Sequence, residues 1–360
     1  MAARHVPLFF ASFLLLVAGC AAEGPSYSCS SGEKVKCQAL AGYVPENETT
    51  YEAIKDLFQV QSLFALYGAN NLSTSTAPST KVRGGNAVRV PFPCACYNGT
   101  WTSDRQPIYK VKKGDGLYDI ATTTYRNLVV YERIAAVNNL ADVNVILEGQ
   151  ELWIPLPCSC DAVGGLETVH LAHIVEPGSS VAAIADQFGT TEKTLLELNN
   201  IADPKSLQAN KVLDVPLRAC NSSIRSDAVD GSLRVPNGSY ALTAGNCIKC
   251  SCSSSSWQLA CEIANLTATN TSACRAPTCS ATTSSGRTIS LKLGEDAPSV
   301  CGSTRCHYAG YYNTSNILNI TAVPVTNQST SPPPAPSSSA VDLRPLLASL
   351  YAALLLLATL

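Results

Sequence analysis

A chain of 360 residues has room for two or more domains, yet only 14% of its residues are charged and its formal net charge is −2. That balance builds no basic face for nucleic acid or an anionic lipid surface, which excludes those partners and leaves a neutral or weakly charged ligand. Sixteen cysteines and ten Asn-X-Ser/Thr sequons, at Asn47, Asn71, Asn98, Asn221, Asn237, Asn265, Asn270, Asn313, Asn319 and Asn327, place the chain in an oxidising, glycosylating compartment.

In chain order, Arg4 and His5 precede an apolar run at 8–18 and the small-residue exit Gly19-Cys20-Ala21-Ala22, which reads as a signal peptide over residues 1–22. After it comes a strand-ending motif that recurs: Val90-Pro91-Phe92-Pro93-Cys94-Ala95-Cys96, Ile154-Pro155-Leu156-Pro157-Cys158-Ser159-Cys160, and the worn copy Val215-Pro216-Leu217-Arg218-Ala219-Cys220. The prolines Pro91, Pro155 and Pro216 stand 64 and 61 residues apart. Upstream of each copy lies a double asparagine, Asn70-Asn71, Asn138-Asn139 and Asn199-Asn200, at a place where a left-handed residue can stop a helix. A period near sixty marks an array of small domains and not a solenoid.

The middle copy is the cleanest. Tyr109-Lys110-Val111-Lys112-Lys113-Gly114-Asp115-Gly116-Leu117 runs from period-two alternation into a Gly-Asp-Gly turn, and Leu117, Ile120 and Ala121 then follow helical spacing. A second helical run at 131–137 ends on Asn138-Asn139, and Leu152-Trp153-Ile154-Pro155 is a short strand closed by proline. The unit is β-α-α-β, two helices on a two-stranded antiparallel sheet. A core that small needs outside support, and the flanking Cys-x-Cys pairs supply it. In the third copy Glu176-Pro177-Gly178-Ser179-Ser180 replaces the Gly-Asp turn, and in the first, Val44-Pro45-Glu46-Asn47-Glu48 has lost it.

The pattern Tyr109-x-Val111-x-x-Gly114-Asp115-x-Leu117-x-x-Ile120-Ala121, with the double asparagine and Ile154-Pro155, resembles the LysM domain. Three copies bracketed by Cys-x-Cys and followed by a Cys-rich segment look like the plant LysM-domain GPI-anchored proteins and the related chitin elicitor-binding proteins. The resemblance implies an α+β fold of three disulfide-clamped modules with a small Cys-rich domain behind them. It implies extracellular recognition of N-acetylglucosamine polymers, chitin or peptidoglycan, in innate immunity. A LysM receptor-like kinase would be the co-receptor, with a homo- or hetero-oligomer forming on ligand.

Cysteines at i and i+2 on a strand share a face and do not bond each other. With Cys29 and Cys37, the first two Cys-x-Cys pairs make six thiols and fifteen pairings; the resemblance selects Cys29–Cys96, Cys37–Cys160 and Cys94–Cys158. Cys247-x-x-Cys250-x-Cys252 offers a zinc reading, but the oxidising compartment favours disulfides, so no metal or other cofactor is expected. Removal of Cys20 with the signal leaves fifteen cysteines, an odd number.

Catalysis finds little to stand on. His170 and His173 point to opposite faces of a strand, which suits structure better than metal. A glycosidase pair would fall to Asp115 and Asp119, which sit at a turn and a first helical turn where acids serve as caps. No enzyme is expected. For binding, acetamide groups need backbone N–H and C=O, small apolar surfaces and a shallow open groove. The loops that would form it in the middle module are Lys113, Gly114, Asp115, Gly116, Leu117, Tyr118 and Asp119, and Ala141, Asp142, Val143, Asn144, Val145, Ile146 and Leu147. Lys112 and Lys113 read as a solvated edge, with the lactyl or peptide carboxylates of peptidoglycan as the alternative contact. Asn47 and Asn71 fall in the corresponding loops of the first module, where a glycan would block the groove, whereas no sequon lies between Asn98 and Asn221. Trp153 is expected to face outward and either cover an inter-module contact or await a partner, with its counterparts Arg89 and Asp214 in solvent.

At the far end, Pro332-Pro333-Pro334-Ala335-Pro336 and the small residues Ser337-Ser338-Ser339-Ala340 precede an apolar run at 346–360 with no basic flank, the order of a GPI attachment signal with Ser337 as the site. The run is short of the roughly 20 residues a spanning helix needs. The organisation expected is a signal peptide at 1–22, a divergent first module with its N-terminal Cys segment at 27–97, a second at 109–157, a third at 170–217, a Cys-rich domain at 223–320, a Pro/Ser-rich stalk at 321–339 and a GPI-signal propeptide at 340–360. The mature protein would stand on the outer face of the cell membrane, held by lipid alone. Two readings follow: a pattern-recognition receptor, or a LysM-bearing wall-attachment protein without a signalling role.

Overall fold

Three times in the computed structural model a strand, two short helices and a second strand succeed one another. The structure describes residues 25, 27–30, 36–264, 266, 274–299, 302–314 and 317–328, with backbone only at 314, 317, 327 and 328. The expected signal peptide, the 329–339 part of the stalk, the Ser337 attachment site, the apolar C-terminal run, Asn265, Asn270, Cys20 and Cys301 lie outside the described residues.

The first module runs β1 (Lys36–Tyr43), β2 (Thr49–Thr50), α1 (Tyr51–Phe58), α2 (Leu63–Ala69), β3 (Lys81–Val82) and β4 (Val88–Tyr97). Helix α1 starts where the Thr50 hydroxyl accepts the Ala53 N–H and stops where Gln59 turns left-handed at φ 52°. After β5 (Thr100–Ser103), the second module comprises β6 (Ile108–Lys110), α3 (Leu117–Asp119) continuing as a π-type turn over Ile120–Thr124, α4 (Tyr131–Val137) and β7 (Glu151–Trp153). The third comprises β8 (Thr168–Ile174), α5 (Val181–Phe188), α6 (Glu192–Leu198) and β9 (Val212–Arg218).

The modules do not sit side by side as equals. Strand β1 pairs antiparallel with β4 on one edge and parallel with β8 on the other, so the first and third modules share one five-stranded sheet in the order β5-β4-β1-β8-β9. The second module keeps a separate two-stranded sheet, β6 with β7, and joins the first through its core. Tyr125 is wholly buried and meets Phe58 edge-on with ring centroids 5.5 Å apart, while its hydroxyl donates to the Leu57 carbonyl at 3.3 Å. Gln59 then grips the backbone of β6, donating to the Ile108 carbonyl and accepting its N–H. The first module is therefore the hub.

In each module the first asparagine of the pair is a clamp. Asn70, Asn138 and Asn199 donate to the helix carbonyls of Leu66, Ile134 and Leu195 and exchange two bonds with the backbone of Arg89, Trp153 and Asp214 on the closing strand. The second asparagine takes the left-handed turn, φ 53°, 52° and 52° at Asn71, Asn139 and Asn200. One residue ties the helix end to the strand and the next redirects the chain, which is why the doublet recurs.

Disulfides Cys29–Cys96, Cys37–Cys160 and Cys94–Cys158 staple the N-terminal segment, the hub and the tail of the second module. Behind the modules come β10 (Ser239–Thr243), β11 (Ile248–Cys252) and β12 (Ala260–Ile263), one antiparallel sheet. Cys247, Cys250 and Cys252 are bonded to Cys274, Cys261 and Cys220, so that run is a set of staples.

The described residues form two compact units, one running to 276 and including 308–321, the other made of 277–307 and 322–328. A Cys-rich domain beginning at 223 is expected from the sequence; instead β10 packs on α2 of the hub. Gly68 lies so close beneath Tyr240 that a Cβ would come within 2.2 Å of its carbonyl oxygen, and the Tyr240 hydroxyl donates to the Leu72 carbonyl at 2.7 Å. The second unit pairs β13 (Thr278–Thr282) with β14 (Thr288–Lys292) around Ala281, Leu291 and Ala297, with Cys279 bonded to Cys306.

Candidate binding groove of the second module

The two loops named from the sequence leave the same end of the β6–β7 sheet. Val111 donates to the Gln150 carbonyl at 2.9 Å and accepts the Gly149 N–H at 2.8 Å, which fixes the base of one loop against the base of the other. The first loop turns at Gly114, whose φ of +88° suits glycine. The Asp115 carboxylate closes that turn, accepting the Lys112 N–H at 2.7 Å and the Tyr109 hydroxyl at 2.8 Å. Burial, reinforced by that bond, pushes the Tyr109 hydroxyl up to about 12. Asp115 is thus committed to the turn, and Asp119 is exposed.

Helix α3 begins at Gly116 with no side-chain cap, whereas Thr50 and Ser180 cap the equivalent helices α1 and α5. Leu117 is buried beneath it; Tyr118 stands 63% exposed, its ring edge-on to Tyr131 at 6.1 Å. In the second loop the Asp142 carboxylate accepts from the Asn144 backbone and side-chain amides, and Gln150 accepts from the Leu147 N–H. These bonds hold Val143, Val145 and Leu147 outward while half-buried Ile146 packs on the core. Among the described residues seven large hydrophobics are exposed, and Tyr118, Val143, Val145 and Leu147 are four of them. Exposed apolar surface gathered in one place marks a contact surface. The loops hold no serine, cysteine or histidine; what they present is backbone amides and an exposed apolar patch.

The other two modules differ in ways the sequence only half reveals. The third keeps the backbone turn that its missing Gly-Asp suggests it had lost: Gly178 lies at φ +85° and Ser179 donates to the Glu176 carbonyl at 3.1 Å. Only the carboxylate bonds are absent. In the first module the loops are zipped together, Thr49 and Thr50 pairing with Val82 and Lys81, and the N–H groups of Tyr51 and Glu52 donating to Thr80 and Pro78 of the second loop. Gly84 rests against Glu46 where a Cβ would come within 2.2 Å of the Glu46 carbonyl oxygen. The amides at the start of α1 are already used within the module. The signal was present in the hydroxyl caps at Thr50 and Ser180 against Gly116.

Trp153 is half-buried, edge-on to Tyr97 at 5.6 Å, with its indole N–H 3.4 Å from the Ser103 hydroxyl of β5. Its counterparts do not face solvent as the alternation suggests. Arg89 is half-buried, and Asp214 is 2% exposed because β9 turns it onto His170, whose Nδ1 lies 2.9 Å from both carboxylate oxygens. Burial disfavours the imidazolium, but Asp214 and the Asp161 carbonyl outweigh it and hold His170 above the ordinary histidine pKa. His173 faces the other way, against Phe188. Of the sequons, Asn47, Asn71, Asn98, Asn221, Asn237, Asn313 and Asn319 are exposed.

The LysM domain family model matches residues 109–155 and 173–216. Over 311 residues the chain is 42% identical to the chitin elicitor-binding protein of Oryza sativa subsp. japonica, covering 86% of this chain and 83% of that protein. It is 47% identical over 238 residues to LysM domain-containing GPI-anchored protein 2 of Arabidopsis thaliana, covering 66% of this chain and 68% of that one. It is also similar, at 25% over 192 residues, to chitin elicitor receptor kinase 1 of Physcomitrium patens, covering 52% of this chain and 28% of the kinase.

Proposed function

The chain belongs to the plant family of LysM-domain GPI-anchored and chitin elicitor-binding proteins, and from that premise we propose that it is a cell-surface receptor for N-acetylglucosamine oligomers, taking fragments of chitin or peptidoglycan in the groove of its second module. The observation that carries this is the gathering of exposed Tyr118, Val143, Val145 and Leu147 on two loops whose helix starts without a side-chain cap. Acetamide methyls cover the apolar patches, and the open backbone groups meet the amide and hydroxyls.

Relatives bear GPI-anchored names, and among the described residues no helix is long and apolar enough to cross a membrane. A lipid anchor at Ser337 would hold the receptor on the outer face, as the order of the C-terminal sequence suggests, and a phosphatidylinositol-specific phospholipase should release it. Such a receptor signals through a separate LysM receptor kinase, in keeping with its likeness to a chitin elicitor receptor kinase. Pull-down of the ectodomain on chitin and on peptidoglycan, with soluble fragments as competitors, tests the reading. Retention on either polymer that soluble oligomers displace is expected; retention indifferent to soluble oligomers would make this a wall-attachment protein.

A further inference from the structure

A cleft of about 730 Å³ opens between the second and third modules, within the range of roughly 300–1,000 Å³ in which pockets hold small ligands. Tyr118, Val130 and Tyr131 line it from the second module, Ile201 and Leu207 from the third. Tyr118 therefore belongs both to the candidate groove and to this cleft, and the two are neighbours on one surface. Val130 is 54% exposed there although nothing in the fold requires an apolar residue outside.

Two further lining residues point to a ligand. Trp101 of β5 is 2% exposed, yet its indole N–H has no hydrogen-bond partner, and the Tyr27 hydroxyl is likewise covered and unpartnered among the described residues. Buried indole and phenol groups ordinarily find a partner. Burial, and then the charge of Asp214, hold the Tyr27 hydroxyl well above its usual range, so it stays a donor. The charged lining residues are Glu132, Arg133 and Lys211, of both signs, which suits a neutral ligand rich in acceptors with apolar faces.

We propose that this cleft is a second subsite for the same acetylated oligosaccharide, taking the sugars that extend past Tyr118, with Trp101 and Tyr27 donating to their acetamide or hydroxyl oxygens. The proposal rests on the reading of the groove, and it gives the protein a way to measure oligomer length within one molecule. Both donors are covered in the free protein, so occupation of the cleft moves the Trp101 ring or its neighbours.

The test is calorimetry and nuclear magnetic resonance on the glycosylated ectodomain with the chitin trisaccharide and pentasaccharide. The chain has three tryptophans, and the Trp101 indole resonance is assigned by its loss in Trp101→Phe. The pentasaccharide should bind more tightly than the trisaccharide and shift that resonance; the trisaccharide should leave it in place. Val130→Glu, at an exposed position, should lower pentasaccharide affinity at least about fivefold, a cost near 1 kcal/mol, and leave the trisaccharide as in the parent. Gln208→Trp, on the opposite lip, should act the same way by filling the cleft. An unmoved Trp101 resonance at saturation, or unchanged pentasaccharide affinity in both folded variants, overturns the subsite. Failure of the groove is read separately: Val145→Glu leaving trisaccharide affinity intact while Val130→Glu weakens it would make the cleft the sole site. Absence of binding by either sugar overturns both.

Discussion

In the first module the two loops above the sheet are tied by strand pairing between Thr49–Thr50 and Lys81–Val82, and an ion pair between Lys81 and Glu48 lies across the same join. In the second module the equivalent loops meet only at their base, through Val111 with Gly149 and Gln150. The two modules share a β-α-α-β plan, and the same clamp asparagine closes each of them. What separates them is what the backbone amides of the loops are asked to do. In the hub they hold the fold together, since that module must carry β8 on one side and Tyr125 on the other. The second module is supported from outside by staples and a shared core, and its loops remain unpaired with each other beyond their base.

That contrast can be broken first at the staples. Cys94–Cys158 joins β4 of the hub to the tail of the second module. Replacing both cysteines by alanine should lower the stability of the stapled modules by about 2–5 kcal/mol, read as a fall in denaturant midpoint. An unchanged midpoint would show that Cys37–Cys160 and the packing of Phe58 on Tyr125 suffice to hold the second module in place.

The clamps come next. Asn138→Ala removes two donated bonds and one accepted bond, leaving the Trp153 N–H and carbonyl without the Asn138 side chain while the Ile134 carbonyl keeps the residue 138 backbone N–H, at a cost of about 1–3 kcal/mol. Asn199 makes the same bonds at 0% exposure, so Asn199→Ala should sit at the upper end of that range. Thermal melts of the two variants decide whether the peripheral modules are closed equally.

The doublet shows how far sequence reading reaches. Its left-handed second member is legible because asparagine tolerates positive φ. The clamp made by its first member is invisible until the closing strand is placed, nineteen residues on in the first module and fifteen in the other two. Likewise the β-α-α-β order and the exposed 141–147 loop follow from periodicity and composition, while the disulfide pairs came from family resemblance and from nothing in the spacing. Joining of β1 to β8 could not be read, since it depends on two strands more than a hundred residues apart whose faces are both apolar. Asp214 misled because alternation assigns a face but does not say what covers it: here His170 and the 161–168 segment do.

The groove itself is tested at Val145, 60% exposed, and better there than at Ile146, whose side chain also supports the core. Val145→Glu should leave the melt unchanged and weaken oligomer binding tenfold or more, about 1–3 kcal/mol, by calorimetry. Full affinity in the folded variant would remove the second loop from the site.

The third module's ion pair gives a smaller, pH-dependent effect. His170 binds its proton more tightly folded than unfolded, so the stabilisation is complete below the unfolded pKa of about 6.5 and is lost as pH rises through the folded value. The parent should therefore lose melting temperature relative to His170→Gln as pH climbs from about 6 into the alkaline range, and parallel curves would show that the pair is neutral throughout.

The smallest effect expected is none, and it separates two explanations for placing the proposed site in the second module and not the first. Asn47 and Asn71 are exposed on its two loops, and glycans there could be what keeps sugar out. The zipped backbone makes a different claim, because Thr80 and Pro78 already accept the first amides of α1 and Gly84 lies against Glu46. If pairing closes the groove, Asn47→Gln with Asn71→Gln, made in the Val145→Glu background so that binding by the second module is weakened, should restore no trisaccharide affinity beyond that of Val145→Glu alone. Opening the loops would require breaking β2–β3, which cannot be done without loosening the hub that both other modules lean on. Recovered binding in the glycan-free protein would show that the first module differs from the second by its decoration and not by its fold.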